Sequence, residues 1–82
     1  MKQNCKKMSA LIAGETATVQ YIAENAVLRR RLRELGLCDG AKVTCVLQGA
    51  HRDIAVYKIC GAQIAVRDCD AQSVFVRTEV VQ

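Results

Sequence analysis

The chain has 82 residues, a mass of 9.0 kDa and a formal net charge of +4, from 12 Lys and Arg against 8 Asp and Glu. That is one small domain, without room for a doubly wound sheet or a (β/α)₈ barrel, and a hydrophobic share of 51 % with 24 % charged residues is globular rather than disordered. No apolar run approaches the ~20 residues of a membrane span, and no charged start with an apolar core and a small-residue cleavage site occurs, so the expected compartment is the cytoplasm, with no membrane insertion.

In chain order, residues 1–7 are polar and basic and read as a flexible terminus ahead of a single domain over 8–82. Met8, Leu11 and Ile12 offer a short apolar anchor before Gly14. Residues 17–22 read as a strand, with Ala17, Val19 and Tyr21 on one face. Asn25 is a candidate N-cap for a helix over 26–35, in which Leu28, Leu32 and Leu35 form a narrow apolar stripe at i, i+4 and i+7. Arg29, Arg30 and Arg33 point away from that stripe, and Gly36 supplies the C-cap. Residues 37–40 form a turn. The next strand alternates Val43, Cys45 and Leu47 with Lys42, Thr44 and Val46. Residues 48–52 are a loop, and Ile54 to Cys60 is a strand turned by Gly61-Ala62 into residues 63–67. Residues 68–72 make a tight connection into the last strand, 73–77. The expected fold is mainly β: a small five-stranded barrel with one α-helix inserted after the first strand, its closure removing exposed edges.

Candidate chemistry is sparse. His51 is the one histidine, so any Cys–His nucleophilic pair must use it, and no spacing places a cysteine beside it. Asp68 and Asp70 are paired acids in a predicted turn, where such residues cap backbone groups or face water. The chain reads as a non-enzyme. Five cysteines, an odd number without a Cys-x-x-Cys pair, do not suit a disulfide framework or a zinc knuckle. Cys45 alternates with core residues, whereas Cys38, Cys60 and Cys69, with His51, are candidate soft ligands for zinc or iron. No cofactor is expected beyond such adventitious metal. The densest charge is the run Arg29-Arg30-Arg31-Leu32-Arg33, which suits an acidic protein surface or a phosphate backbone. Aromatics make up 4 % of the chain (Tyr21, Tyr57 and Phe75), too few for base stacking, so nucleic acid is not the expected partner.

The order of the motifs is more specific than any one of them. Met8-Ser9-Ala10-Leu11, Gly14, Ala17, Val19 and Ile22 resemble L-S-x-L-x-x-G-x-x-A-x-V-x-x-I. Residues 31–37 resemble R-L-x-x-L-G-[LM], and Gly40 ends what looks like an L-G-L-x-P-G turn. Asp53 falls where G-D-P would be written, residues 61–67 resemble G-x-x-[IL]-[AS]-[LV]-R, and Asp70-Ala71 with Val74-Phe75-Val76 resemble [DE]-A-x-x-[IV]-x-V. From Met8 to Val76 the chain thus resembles the FeoA family, small cytoplasmic companions of the bacterial ferrous-iron transporter FeoB. The resemblance implies an SH3-like barrel, also found at the C-terminus of DtxR-type repressors, and a regulatory contact with the cytosolic part of FeoB. Arg29, Arg30 and Arg33 of the helix and His51 and Arg52 of the loop are the expected partner-binding residues, in a monomer or weak homo-oligomer. Asp39 replaces the proline of the turn, and Arg52 and Ile54 replace the glycine and proline of G-D-P. Two other readings follow from the same residues: a cysteine-based metal sensor and a small basic nucleic-acid-binding barrel.

Overall fold

The computed structural model describes residues 4–23, 26–48 and 53–78. Six strands, β1 (Asn4–Lys7), β2 (Thr16–Ile22), β3 (Lys42–Gln48), β4 (Ile54–Ile59), β5 (Ala62–Arg67) and β6 (Val74–Thr78), form one antiparallel sheet in the order β1-β6-β2-β3-β4-β5. Helix α1 (Ala26–Glu34) follows β2, a single 3₁₀ turn (Met8–Ala10) follows β1, and the one-turn helix α2 (Asp68–Ala71) joins β5 to β6. The mainly β reading with one inserted helix therefore holds, the helix following the second strand because residues 4–7 add one before it.

Three details differ from the sequence reading. Residues 4–7 are not a loose terminus: they pair with β6, from Asn4 opposite Thr78 to Lys7 opposite Phe75, so six strands rather than five occur among the described residues. Residues 68–71, read as a tight connection, form the helical turn α2. β1 and β5 are the two ends of the sheet and do not pair with each other. The 3₁₀ turn and α2 pack together in the seam, where the Tyr57 hydroxyl donates to the Met8 carbonyl at 3.3 Å.

The core gathers one face of each long strand: Ala17, Val19 and Ile22 of β2, Val43 and Cys45 of β3, Tyr57 and Ile59 of β4, Val66 of β5, and Val74 and Val76 of β6. Met8, Leu11, Leu32, Leu37 and Ala71 complete the same buried cluster. Alternation with period 2 produces this face, until two bulges break it. The register shifts between Val19 and Tyr21 against β6, so Ile22 turns inward and Tyr21 lies 48 % exposed. It shifts again between Cys45 and Leu47 against β4, which leaves Leu47 60 % exposed. Tyr21 and Leu47 thus leave the core that unbroken alternation assigns them. Ile12 is likewise exposed beside a fully buried Leu11. Outside the core, Tyr21 stacks on Phe75 across the strand pair, with ring centroids 4.8 Å apart.

Candidate partner-binding surface

Helix α1 presents the basic residues because its other face is committed. Leu32 is buried in the core and Leu28 packs partly against it, four residues apart and so on one side of the helix. Leu35, the third member of the expected stripe, lies beyond the helix and is exposed, because α1 ends at Glu34. The end is a Schellman cap. The Leu37 N–H reaches the Leu32 carbonyl at 3.0 Å and the Gly36 N–H reaches the Arg33 carbonyl at 3.0 Å, with Gly36 at φ 104°. Leu37, just past the cap, enters the same core as Leu32, which is the apolar contact that accompanies this motif. Arg31 and Arg33 sit in the last turn, where the helix dipole favours positive charge.

Arg29, Arg30 and Arg33 are all exposed, and with Glu34 they line one open depression on the outer side of α1. Their spacing of one, three and four residues puts them on one patch of helix surface. The structure thus brings together three of the five expected partner-binding residues. The other two, His51 and Arg52, lie outside the described residues, as does the proposed N-cap Asn25.

A second concavity was not legible in the sequence. Ser9, Ala10 and Ile12 after β1, Gln48 at the end of β3, Ala55 and Tyr57 of β4 and Asp68 of α2 line a cavity of about 170 Å³, the seam cavity, where the 3₁₀ turn meets α2. Its walls are held by two hydrogen bonds between distant segments and one within the α2 turn. The Gln48 amide donates to the Leu11 carbonyl at 2.6 Å, the Gln72 amide donates to the Asp68 carboxylate at 2.8 Å, and the Asp68 N–H reaches the Asp53 carbonyl at 2.7 Å. Burial, followed by the charges of Cys45 and Asp68, pushes the Tyr57 phenol up to about 12, so it stays a neutral donor. Alternation marks Tyr57 as core, but no local signal shows that residues 9, 48 and 68 converge on it.

The cysteines divide by burial. Cys45 is fully buried in β3, and burial, with the nearby Glu15 carboxylate, pushes its thiol up and makes it unreactive. Cys38, Cys60 and Cys69 are exposed, as is Cys5. The Cys60 thiol lies 3.7 Å from the Gly36 carbonyl, which also accepts the Cys38 backbone N–H at 3.1 Å. Cys69 is in α2, with its sulfur 3.8 Å from the Asp70 carboxylate. Among the described residues no three His, Cys, Asp or Glu side chains form a group able to hold a metal ion. The ligand set Cys38, Cys60 and Cys69 is therefore not assembled, and His51 lies outside the described residues.

This architecture is that of a small SH3-like domain whose exposed features are a basic helix face and the seam cavity. Comparison with known families is decisive: residues 6–78 match the FeoA domain, and the chain belongs to the FeoA family. The family comprises non-enzymatic accessory proteins associated with ferrous-iron transport. The solution structure of the FeoA protein from Chlorobium tepidum is 31 % identical, with a TM-score of 0.83 over 90 % of this chain and 70 % of that one. The zinc complex of Stenotrophomonas maltophilia FeoA, described as a prokaryotic SH3 domain protein, is 28 % identical, with a TM-score of 0.73 over 85 % of this chain and 87 % of that one. A manganese-dependent transcriptional repressor shares the fold alone, at 16 % identity and a TM-score of 0.85, over 96 % of this chain and 44 % of the repressor. Comparison with curated protein sequences returns no match. Among the described residues no helix is long and apolar enough to cross a membrane.

Proposed function

We propose that this chain is a cytoplasmic regulator of FeoB, binding the transporter's cytosolic part and modulating its nucleotide-driven transport. The observation that carries the reading is the convergence of Arg29, Arg30 and Arg33 on one open depression of α1, within a domain of the FeoA family. Long cationic side chains on a helix anchored from behind by Leu28 and Leu32 suit an acidic protein surface. His51 and Arg52, outside the described residues, are assigned to the same partner. Guanidinium groups steer encounter with an acidic surface, so the contact raises the association rate and weakens with salt.

Calorimetric titration of the reduced protein against the cytosolic domain of FeoB, with and without guanine nucleotide, tests this directly. Saturable binding that depends on nucleotide is the expected result. The double variant Arg30→Glu, Arg33→Glu should bind at least about tenfold more weakly. Both side chains are exposed, so the variant keeps the fold, and unchanged affinity would remove α1 from the interface.

A further inference from the structure

Strand β5 ends the sheet, and its geometry determines which of its backbone groups are spent. The two-residue turn Cys60–Gly61 makes Ile59 and Ala62 the hydrogen-bonded pair that closes the β4–β5 hairpin. Alternation from there turns the N–H and C=O of Ala62, Ile64 and Val66 toward β4. The Asp68 N–H, bonded to the Asp53 carbonyl, continues the same series. Gln63, Ala65 and Arg67 therefore turn theirs away from β4, and among the described residues no strand pairs with that side.

The two ends of the sheet are guarded differently. β1 is four residues long and carries Lys6 and Lys7, a usual defence of an edge against pairing. β5 is six residues long, has one charge at its last position, contains no proline, and pairs with β4 without a bulge from Ile59–Ala62 to Ile54–Arg67. Ala62, Gln63, Ala65 and Arg67 are exposed, and among the described residues no strand covers the edge.

We infer that β5 is a self-association edge: two copies of this chain join their β5 strands antiparallel about a two-fold axis at Ala65. Such an axis stands perpendicular to the sheet, so each residue meets one from the same face. Centred on Ala65, the pairing sets Ala65 against its own equivalent, Gln63 against Arg67 and Ile64 against Val66. Every outward N–H and C=O of the three outward residues finds a partner, giving about six hydrogen bonds. Apolar meets apolar on the inner face, and the single charge meets an amide rather than itself. Moving the axis by one residue leaves Gln63 or Arg67 facing a residue outside β5. The joined strands bury less than the roughly 1,200 Å² of a stable interface, so the dimer is weak and depends on concentration.

Sedimentation of the reduced protein from roughly 10 μM to 1 mM tests the inference. The mass should rise from 9.0 kDa toward twice that value. Ala65→Lys places two lysines on the axis while adding only an exposed side chain to the monomer, and should weaken association at least about tenfold. Ala65→Pro removes an N–H that β4 does not use and should do the same; if it fails to fold, the lysine variant decides. A mass of 9.0 kDa at every concentration overturns the proposal, as does undiminished association of Ala65→Lys. Amide exchange at Gln63, Ala65 and Arg67 should slow as concentration rises. Slowing only when the FeoB domain is added would give the edge to a strand of that partner and overturn self-pairing.

Discussion

Cys60 occupies a backbone conformation that L-residues seldom adopt. Its φ of 51° and the φ of 82° at Gly61 form the mirror-image turn that matches the twist of a two-residue hairpin. Asn-Gly is the sequence that suits such a turn, so Cys60→Asn should stabilise the protein by roughly 1 kcal/mol, read as a higher urea midpoint under reducing conditions. Gly36 answers to a stricter demand. A Cβ there would lie 3.1 Å from the Cys60 sulfur and 3.2 Å from Cγ2 of Ile59, and Ile59 is fully buried and cannot yield. With φ at 104° the position is also strained for any side chain, so Gly36→Ala should cost about 2 kcal/mol in the same assay. Two titrations belong to this scale. The Lys6 ammonium, 2.9 Å away, and the Ile12 N–H hold Glu15 below the usual carboxylate range. Its contribution to stability is thus full above pH 4.5 and lost as pH falls through the lower folded value. Lys6→Met should move the Glu15 carboxyl back up, as followed by NMR. Tyr57 has the opposite sign, because burial raises its phenol from 10 to about 12. Stability should fall between these values as the unfolded state releases the proton first, and the phenolate absorbance of Tyr57 should appear only near the upper one.

At the scale of elements, the two bulges decide which apolar residues stabilise the fold. Leu47 and Ile59 are both large and aliphatic, yet Ile59 is wholly enclosed by the core while Leu47 follows the bulge and faces outward. Ile59→Ala should therefore cost about 2–5 kcal/mol, whereas Leu47→Ser should change stability by no more than about 0.5 kcal/mol in denaturant titrations. The reverse ranking would mean that β3 runs without its bulge. The helix α1 shows the same economy. At nine residues it is too short to persist by propensity alone, and Leu32 with the Leu37 cap contact fastens it to the sheet. The arginines then occupy the face that packing leaves over, which is why a partner can reach them without disturbing the core.

For the whole molecule, size sets the limits. A domain of 82 residues buries only about 60 % of its unfolded surface, so a single large core deletion approaches the entire stability available. Charge acts at this scale too. With a net +4 and the arginines concentrated on α1, the FeoB binding proposed above should weaken steeply between low and physiological salt. Salt-independent binding would remove the arginine face of α1 as the main contact.

Much of this was legible in the chain. Leu28, Leu32 and Gly36 announce a helix and its cap because capping and helix periodicity are local chemistry, whereas Leu37, read as part of a turn, shows its cap contact only in the fold. Ala17, Val19, Val43 and Cys45 announce the core because strand alternation is local too. The family motifs, spaced from Met8 to Val76, carried the fold and its association with ferrous-iron transport. Tyr21 and Leu47 were misassigned because a bulge is a relation between two strands, and neither strand records it alone. β1 was missed because Lys6 and Lys7 read as solvated until β6 supplies their backbone partners. The seam cavity, joining residues 9, 48, 57 and 68, and the open edge of β5 exist only once the strands have paired. The sequence determined by itself the helix, its basic face and the apolar periodicity, since each depends on neighbours within one or two turns. The tertiary structure alone decided which strand stands at the edge and what converges at the seam, because strand order and long-range hydrogen bonds have no local signature.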